Sequence, residues 1–357
     1  MAYDLTDSEP ISLYPEADLR SFAKQVLTAL GASDEEAEIV TDGVVTAALR
    51  WHPGQGQGLE KLFRYRRRIE EGGIVVRAAM DWLTDGPSYA LLDAANGFGY
   101  VAAQRAMRKA VEKAKQSGIG MVGVRRSNHF GIAGYHAMTA AQEGFIGWAM
   151  TNARSEMAPW GSAQVVLATN PWGMALPVPN EDGVPVVLDM ALTMSGKGMM
   201  RWYLEQGLEI PDSWALTPDG RVTTDPAAAM DGPLLPIGEY KGYGLSFITD
   251  VLTGVMTGAK FGLSVFRDEQ DYDVGHMMVA FNPEVFMPRS EFNERLERLV
   301  LEVKSAPPID PEKPDMLPGE IEHRRTIERQ REGVPIANET VSGLRRLAHE
   351  LGVSSPF

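Results

Sequence analysis

The chain has 357 residues, 34 Lys and Arg against 48 Asp and Glu for a net charge of −14, six histidines and no cysteine. Without thiols there is no disulfide framework, zinc–thiolate site, iron–sulfur cluster or cysteine nucleophile, so proton chemistry near neutrality falls to imidazoles or to carboxylates and amines with shifted pKa values. So acidic a balance repels polyphosphate backbones and anionic membranes, and 44% apolar with 23% charged residues describes an ordinary globular protein of one large or two modest domains.

The opening residues show no secretion leader, and no apolar run approaches the roughly 20 residues of a membrane span. A cytoplasmic protein is expected, with neither nucleic acid nor membrane as partner. Leu19, Phe22, Ala23, Val26, Leu27 and Leu30 recur at helical spacing and predict a helix over 15–30, stopped by Gly31. Ser33 and Glu36 form a capping-box pattern for a second helix to about Arg50. The Gly-rich break 52–58 precedes a basic helix over 62–71. There Arg64, Arg66, Arg67 and Arg68, followed by Glu70 and Glu71, read as a solvated face.

From residue 75 the pattern alternates. A strand is expected over 88–93, an amphipathic helix over 99–117, strands over 120–124, 145–151, 165–168, 174–178 and 185–190, and helices over 133–142 and 199–206. A Gly-rich loop then opens a long apolar helix over 244–257, and a strand follows over 276–281. Beyond about residue 290 the chain turns helical again, with final helices over 319–331 and 338–351. The fold class is α/β, of the α+β kind with a mixed sheet. The simplest division places 1–75 and 290–357 in one discontinuous helical domain and 76–289 in a mixed-sheet domain.

Three motifs carry candidate chemistry. Gly118-Ile-Gly120-Met-Val-Gly123 satisfies GxGxxG, yet a helix precedes it and a strand follows. A dinucleotide fingerprint needs the reverse order, so this is read as a helix cap and strand entry and a Rossmann fold is not supported. Glu239-Tyr-Lys241-Gly242-Tyr-Gly244 suits either an anion cradle or a plain helix cap. Arg125-Arg126-Ser127-Asn128-His129-Phe130-Gly131 gathers cations, polar groups and an imidazole at a strand end, where scaffolds expose functional groups. His129 reads equally as a satisfied core histidine. No metal site is expected, because His129 and His136 lack a carboxylate at ligand spacing.

The run from Arg126 to Ala133 resembles the type 2 malate/L-lactate dehydrogenase family of NAD(P)-dependent oxidoreductases. The likeness continues in order through Thr151-Asn-Ala, Ala168-Thr-Asn-Pro, Leu188-Asp-Met-Ala, Ile210-Pro-Asp-Ser-Trp, Lys241-Gly-Tyr-Gly, His276, Asn282-Pro and Leu317-Pro-Gly-Glu. It implies a homodimer with a non-Rossmann nicotinamide-binding domain. NAD or NADP would lie along His129, Phe130, Gly131, Ile132 and Ala133, then Asp189, Met190 and Ala191, Lys241 and Gly242, and Pro318, Gly319 and Glu320, with Thr169 near the substrate. The substrate would be a small 2-oxo, 2-hydroxy or 2-imino acid.

The departures matter too. Where many members carry His-Ser-His-Gly, whose second histidine donates the proton, this chain reads Gln55-Gly-Gln57-Gly58, and the carboxylate-gripping arginine becomes Lys61. Lys197-Gly198-Met199 stands where some members have Arg-Gly and an acid. The reading that follows has His129 supply the proton with His52 in reserve, Gln57 polarise the carbonyl, and Lys61, or Lys197 with Gly198, grip the carboxylate. It expects a cationic pocket around Lys61, Arg125, Lys197 and Lys241. The alternative is a nucleotide-binding member whose catalysis is altered or lost with the usual donor.

Overall fold

The computed structural model describes residues 11–50, 58–178, 183–268, 270–310 and 316–357. The chain begins with β1 (Ile11–Tyr14), α1 (Glu16–Ala29), α2 (Asp34–Arg50) and α3 (Lys61–Glu70). The capping box at α2 is formed: Ser33 N donates to Glu36 at 2.8 Å and Glu36 N to the Ser33 hydroxyl at 3.3 Å. Next come β2 (Asp81–Asp85), β3 (Tyr89–Asp93), α4 (Gly99–Ser117), β4 (Ile119–Ser127), α5 (Ala133–Gln142), β5 (Ile146–Thr151), β6 (Ser155–Met157), β7 (Leu167–Ala168), β8 (Trp172–Ala175) and β9 (Val187–Met190). The rest of the chain holds α6 (Lys197–Glu205), α7 (Pro226–Asp231), α8 (Tyr240–Asp250), β10 (Val274–Phe281), α9 (Arg289–Lys304), α10 (Glu320–Glu332), β11 (Val334–Ala337) and α11 (Asn338–Leu351). Helix α8 continues as a π-helical turn, Val251–Val255.

Seven strands form one sheet in the order β2-β3-β4-β10-β5-β8-β9. Only β3 and β4, joined through α4, run parallel; every other neighbouring pair is antiparallel. The sheet is therefore mixed, as expected. Helices α4 and α5 cover one face through alanines, among them Ala102, Ala106, Ala110, Ala137 and Ala140, against Val122, Val124, Ala149 and Ala280. Such small side chains let helix and strand approach closely, which accounts for the GxGxxG letters. Gly118 closes α4 with φ +82, and a Cβ on Gly120 would collide with the Ala110 carbonyl. The opposite face packs Met150, Met277 and Val279 with Trp148, Trp172 and Leu252.

A second core joins α1, α2 and α3 to α11 through Leu19, Phe22, Val26, Val40, Leu62 and Leu344, and takes in Tyr100, Ile132 and Tyr135 from α4, the loop after β4 and α5. Each such side chain removed from water contributes about 2 kcal/mol. The antiparallel pair β1–β11 ties the two chain ends together, with Ile11 opposite Ala337. Among the described residues no helix is long and apolar enough to cross a membrane. The Gly-rich segment ahead of the predicted 244–257 helix is not a loop: α8 begins at Tyr240, so Lys241, Gly242 and Gly244 lie within it.

Candidate functional site

The turn from Ser127 to Ile132 lies beside both large cores and is held from below. Asn128 Nδ2 donates to the carbonyls of Asn96 and Gly97, each at 3.0 Å, while its Oδ1 accepts from Arg68 at 3.1 Å. Phe130 is buried between two imidazoles, 4.8 Å from each ring centroid. His276 lies at 2.8 Å from both Ser127 Oγ and Thr151 Oγ1, and His136 bridges Gln104 and the Phe130 carbonyl. Burial pushes His136 down to about 4 and His276 to about 3, so both rings are neutral at physiological pH and serve as a rigid floor.

His129 stands above that floor, half-buried. The Gly131 amide donates to its Nδ1 at 3.1 Å, which leaves the ring proton on Nε2. Burial, reinforced by the charges of Lys61 and Arg64, pushes this imidazole well below its usual range. It is a neutral hydrogen-bond donor. Gly131 has φ +82, and a Cβ there would meet the buried Tyr100 hydroxyl, so only glycine closes the turn.

Lys61 opens α3 with 9% of its surface exposed. Burial and the neighbouring Arg64 lower its ammonium from 10.5 to about 8. Arg64 lies one turn on, with its guanidinium 5.7 Å from the Phe266 ring. Arg154 approaches that ring at 6.0 Å, and Phe266 packs 4.0 Å from Tyr272, which Arg68 covers at 3.4 Å. The solvated-face reading of the α3 arginines holds for Arg66 and Arg67, which pair with Glu70, Glu350 and Glu71. It fails for Arg68, only 1% exposed, and for half-buried Arg64. Both cations are drawn inward by aromatic partners two hundred residues away in sequence.

The expected cationic pocket needs correction. Lys197, in the first turn of α6 with Gly198, spends all three ammonium protons on the carbonyls of Ala229, Met230 and Gly232 at 2.6, 2.9 and 2.5 Å. Its ammonium closes the end of α7 and has no proton left for a substrate. Arg125 is drawn to Asp93 at 3.5 Å. Lys241 is exposed on the first turn of α8. Lys61 remains, and Arg64 joins it. His52, Gln55 and Gln57 lie outside the described residues.

The remaining segments meet along β9. Asp189 accepts from the Gly134 amide at 2.9 Å at the start of α5, and Val187 N donates to the Pro318 carbonyl at 2.8 Å. Leu192 N donates to the Thr169 carbonyl at 2.8 Å, and Ile237 N, just ahead of α8, to the Leu192 carbonyl at 3.0 Å. Residues 133–134 thus meet β9 at Asp189 and 318–319 at Val187, its first residue, while 169 and 237–242 gather at Leu192, just past its last. Glu320 is turned inward: its carboxylate accepts from Leu317 N, Lys304 and Arg324. Burial alone would raise it, but those bonds hold it below its usual range. It shapes the Pro318-Gly319 turn.

A family model for malate/L-lactate dehydrogenase matches residues 14–345. The malate dehydrogenase of Pyrococcus abyssi is 38% identical over 348 residues, 95% of each chain. The chain belongs to the malate/L-lactate dehydrogenase family. The solved malate dehydrogenase of Pyrococcus horikoshii OT3 superposes with a TM-score of 0.88 at 34% identity, over 98% of this chain and 99% of that one. The ureidoglycolate dehydrogenase (NAD(+)) of Escherichia coli K12 is 30% identical over 325 residues, 90% of this chain and 91% of its own.

Members of the malate/L-lactate dehydrogenase family are oxidoreductases that use NAD or NADP. The residues along β9 and just past it fit such a group. Met190 is the last residue of β9 paired with β8, so the backbone of Ala191 lies beyond that ladder, and Gly242 of α8 lies close against the carbonyl of the next residue, Leu192. At the N-terminus of α5 the Gly134 amide is already engaged by Asp189. Sequence reasoning missed Arg64. Its only signal was a place three residues after Lys61, which puts both side chains on one helix face.

Proposed function

We propose that this chain carries out reversible hydride transfer between NAD(P)H and a small 2-oxo acid, yielding the 2-hydroxy acid. The observation that supports it best is buried Lys61 with Arg64 one helical turn on, the two cations whose charges help keep His129 neutral. A chain of net charge −14 keeps two cations together there, which suits a carboxylate substrate. His129, Phe130, Gly131, Ile132 and Ala133, with Asp189, Met190, Ala191, Lys241, Gly242, Pro318 and Gly319, would border the nicotinamide nucleotide. That cofactor supplies or takes up the hydride when bound.

The chain's own residues orient, neutralise and manage one proton. The Nε2–H of His129 donates to the carbonyl oxygen and polarises it. Arg64 grips the carboxylate with the planar fork that Lys61 lacks. Gln57 adds a second donor to the carbonyl, and Thr169 borders the substrate. The test is NADH and NADPH oxidation across 2-oxo acids with neutral, carboxylate and sulfonate side chains, alongside a cyclic 2-imino acid. Turnover of a 2-oxo acid supports the reading; nucleotide binding without any turnover refutes it, and turnover of the imine alone moves the reaction to C=N.

The assembly inferred is a homodimer. Phe247, Ile248, Val255 and Met256 on α8 and its π-helical turn, with Phe261 and Leu263, leave an exposed apolar face suited to a second copy. Light scattering that returns a monomer would refute it. The two-part division at residues 75 and 290 is kept as a proposal, supported by the core that unites α1, α2, α3 and α11.

A further inference from the structure

Two departures from the family pattern fall close together. Gln57 stands where many members have the proton-donating histidine, and Lys61, four residues on, stands where they have an arginine. A glutamine amide has no proton to give at neutral pH, and a guanidinium does not deprotonate in proteins; an ammonium can do so. The second change therefore supplies what the first removes.

The surroundings of Lys61 suit that work. Its side chain is nine-tenths buried, and among the described residues no acceptor engages its ammonium. The charged and titratable groups coupled to it are Glu60, just ahead of its helix, Arg64 on that helix and His129 from the turn after β4. Glu60 is itself engaged by the Gly58 amide at 2.9 Å. Loss of water and a neighbouring guanidinium both weaken the hold of Lys61 on its proton, bringing it to about 8. His129 is the poorer donor, because its Nδ1 is already filled by the Gly131 amide. Losing the Nε2 proton would leave an imidazolate.

We propose that Lys61 is the catalytic proton donor in reduction of the 2-oxo acid and the proton acceptor in oxidation of the 2-hydroxy acid, with Arg64 left to bind the carboxylate. The step balances: C2 gains the hydride, the C=O π pair moves onto oxygen, and the Nζ–H bond of Lys61 breaks as the new O–H bond forms. The neutral amine then recovers its proton from water. This assignment rests on the oxidoreductase reading above.

The experiment compares wild type with Lys61→Arg and Arg64→Gln on the best 2-oxo acid of the panel, from pH 5.5 to 9.5. Lys61→Arg keeps the charge, restores the family residue and removes the titratable donor. It should lower kcat by ~100-fold or more, the scale of general acid catalysis, with KM within about fivefold. In wild type, kcat/KM for reduction should fall above pH about 8, and Lys61→Arg should lose that limb. Arg64→Gln should raise KM and keep it. Without substrate, 13C NMR of lysine Cε carbons should show a resonance titrating near 8 that is missing from Lys61→Arg. A Lys61→Arg enzyme keeping more than a tenth of wild-type kcat overturns the assignment, as does a Lys61 resonance titrating near 10.5. Wild type inactive on the whole panel overturns the oxidoreductase reading as well, so the two failures are distinct.

Discussion

Asp189 offers the clearest test of how the site's electrostatics bear on stability. Burial pushes its carboxyl from 3.8 up to about 7, against the opposing pull of the Gly134 amide and of Arg50. A carboxyl raised in the fold binds more protons native than unfolded, so stability falls as pH rises from about 4 to about 7. Of that gap of about three units, roughly two lie above pH 5, worth ~3 kcal/mol at most. The side chain is half-buried, and solvent screening brings the expected size to ~1.5 kcal/mol. Asp189→Asn keeps one acceptor and loses the charge. It forfeits a hydrogen bond worth ~1 kcal/mol at every pH, so the informative quantity is the pH dependence of the difference. Urea unfolding at pH 5 and pH 8, at one protein concentration and without nucleotide, should show Asp189→Asn gaining ~1.5 kcal/mol on wild type between the two. An equal difference at both pH values would refute the reasoning.

Three further outcomes follow from packing. Gly131→Ala forces a side chain into the left-handed region and against buried Tyr100, at a cost of ~2–4 kcal/mol; a lowered Tm with weakened nucleotide fluorescence would show it, and an unchanged Tm would contradict it. Lys197→Met strands three carbonyls at the end of α7 and should cost ~1–3 kcal/mol with KM unchanged; a tenfold rise in KM at unaltered stability would return Lys197 to the substrate. Arg68→Met removes a buried cation from Gly73, Asn128 and the Tyr272 ring, and a loss of ~3 kcal/mol that Arg68→Lys does not rescue is expected in thermal unfolding.

What could be read from the sequence was local. Helices α1 and α4 announce themselves by apolar spacing, and Gly118 by its place after a helix. Strand β2 is exposed along its length and so shows no alternation to detect, while β1 finds its partner in β11 more than three hundred residues away. The His129 turn was legible because polar groups cluster where a strand ends. Arg64 and Arg68 were not, because a run of arginines has the same letters whether it faces water or the Phe266 and Tyr272 rings. Lys197 misled for the same reason: the family pattern places it at a site, and only the fold shows the three carbonyls that consume it.

The aromatic partners explain how this site keeps its charge. The Phe266 ring restrains the Arg64 guanidinium without neutralising it, and leaves its field to act on a ligand and to oppose the burial-driven rise of the Glu156 carboxyl. Lys61 and Asp189 then stand as groups of opposite sign, each shifted by burial toward its neutral form. Both shifts are unfavourable to the empty fold at neutral pH, since each charged form has lost water without a full ionic partner. A carboxylate reaching Lys61 and Arg64 would relieve the cationic half of that cost, and relief available only on binding is binding energy. Lys61 thus exchanges its proton readily in the empty site and is held charged once the substrate anion arrives, so the proton is in place for the step it is proposed to perform.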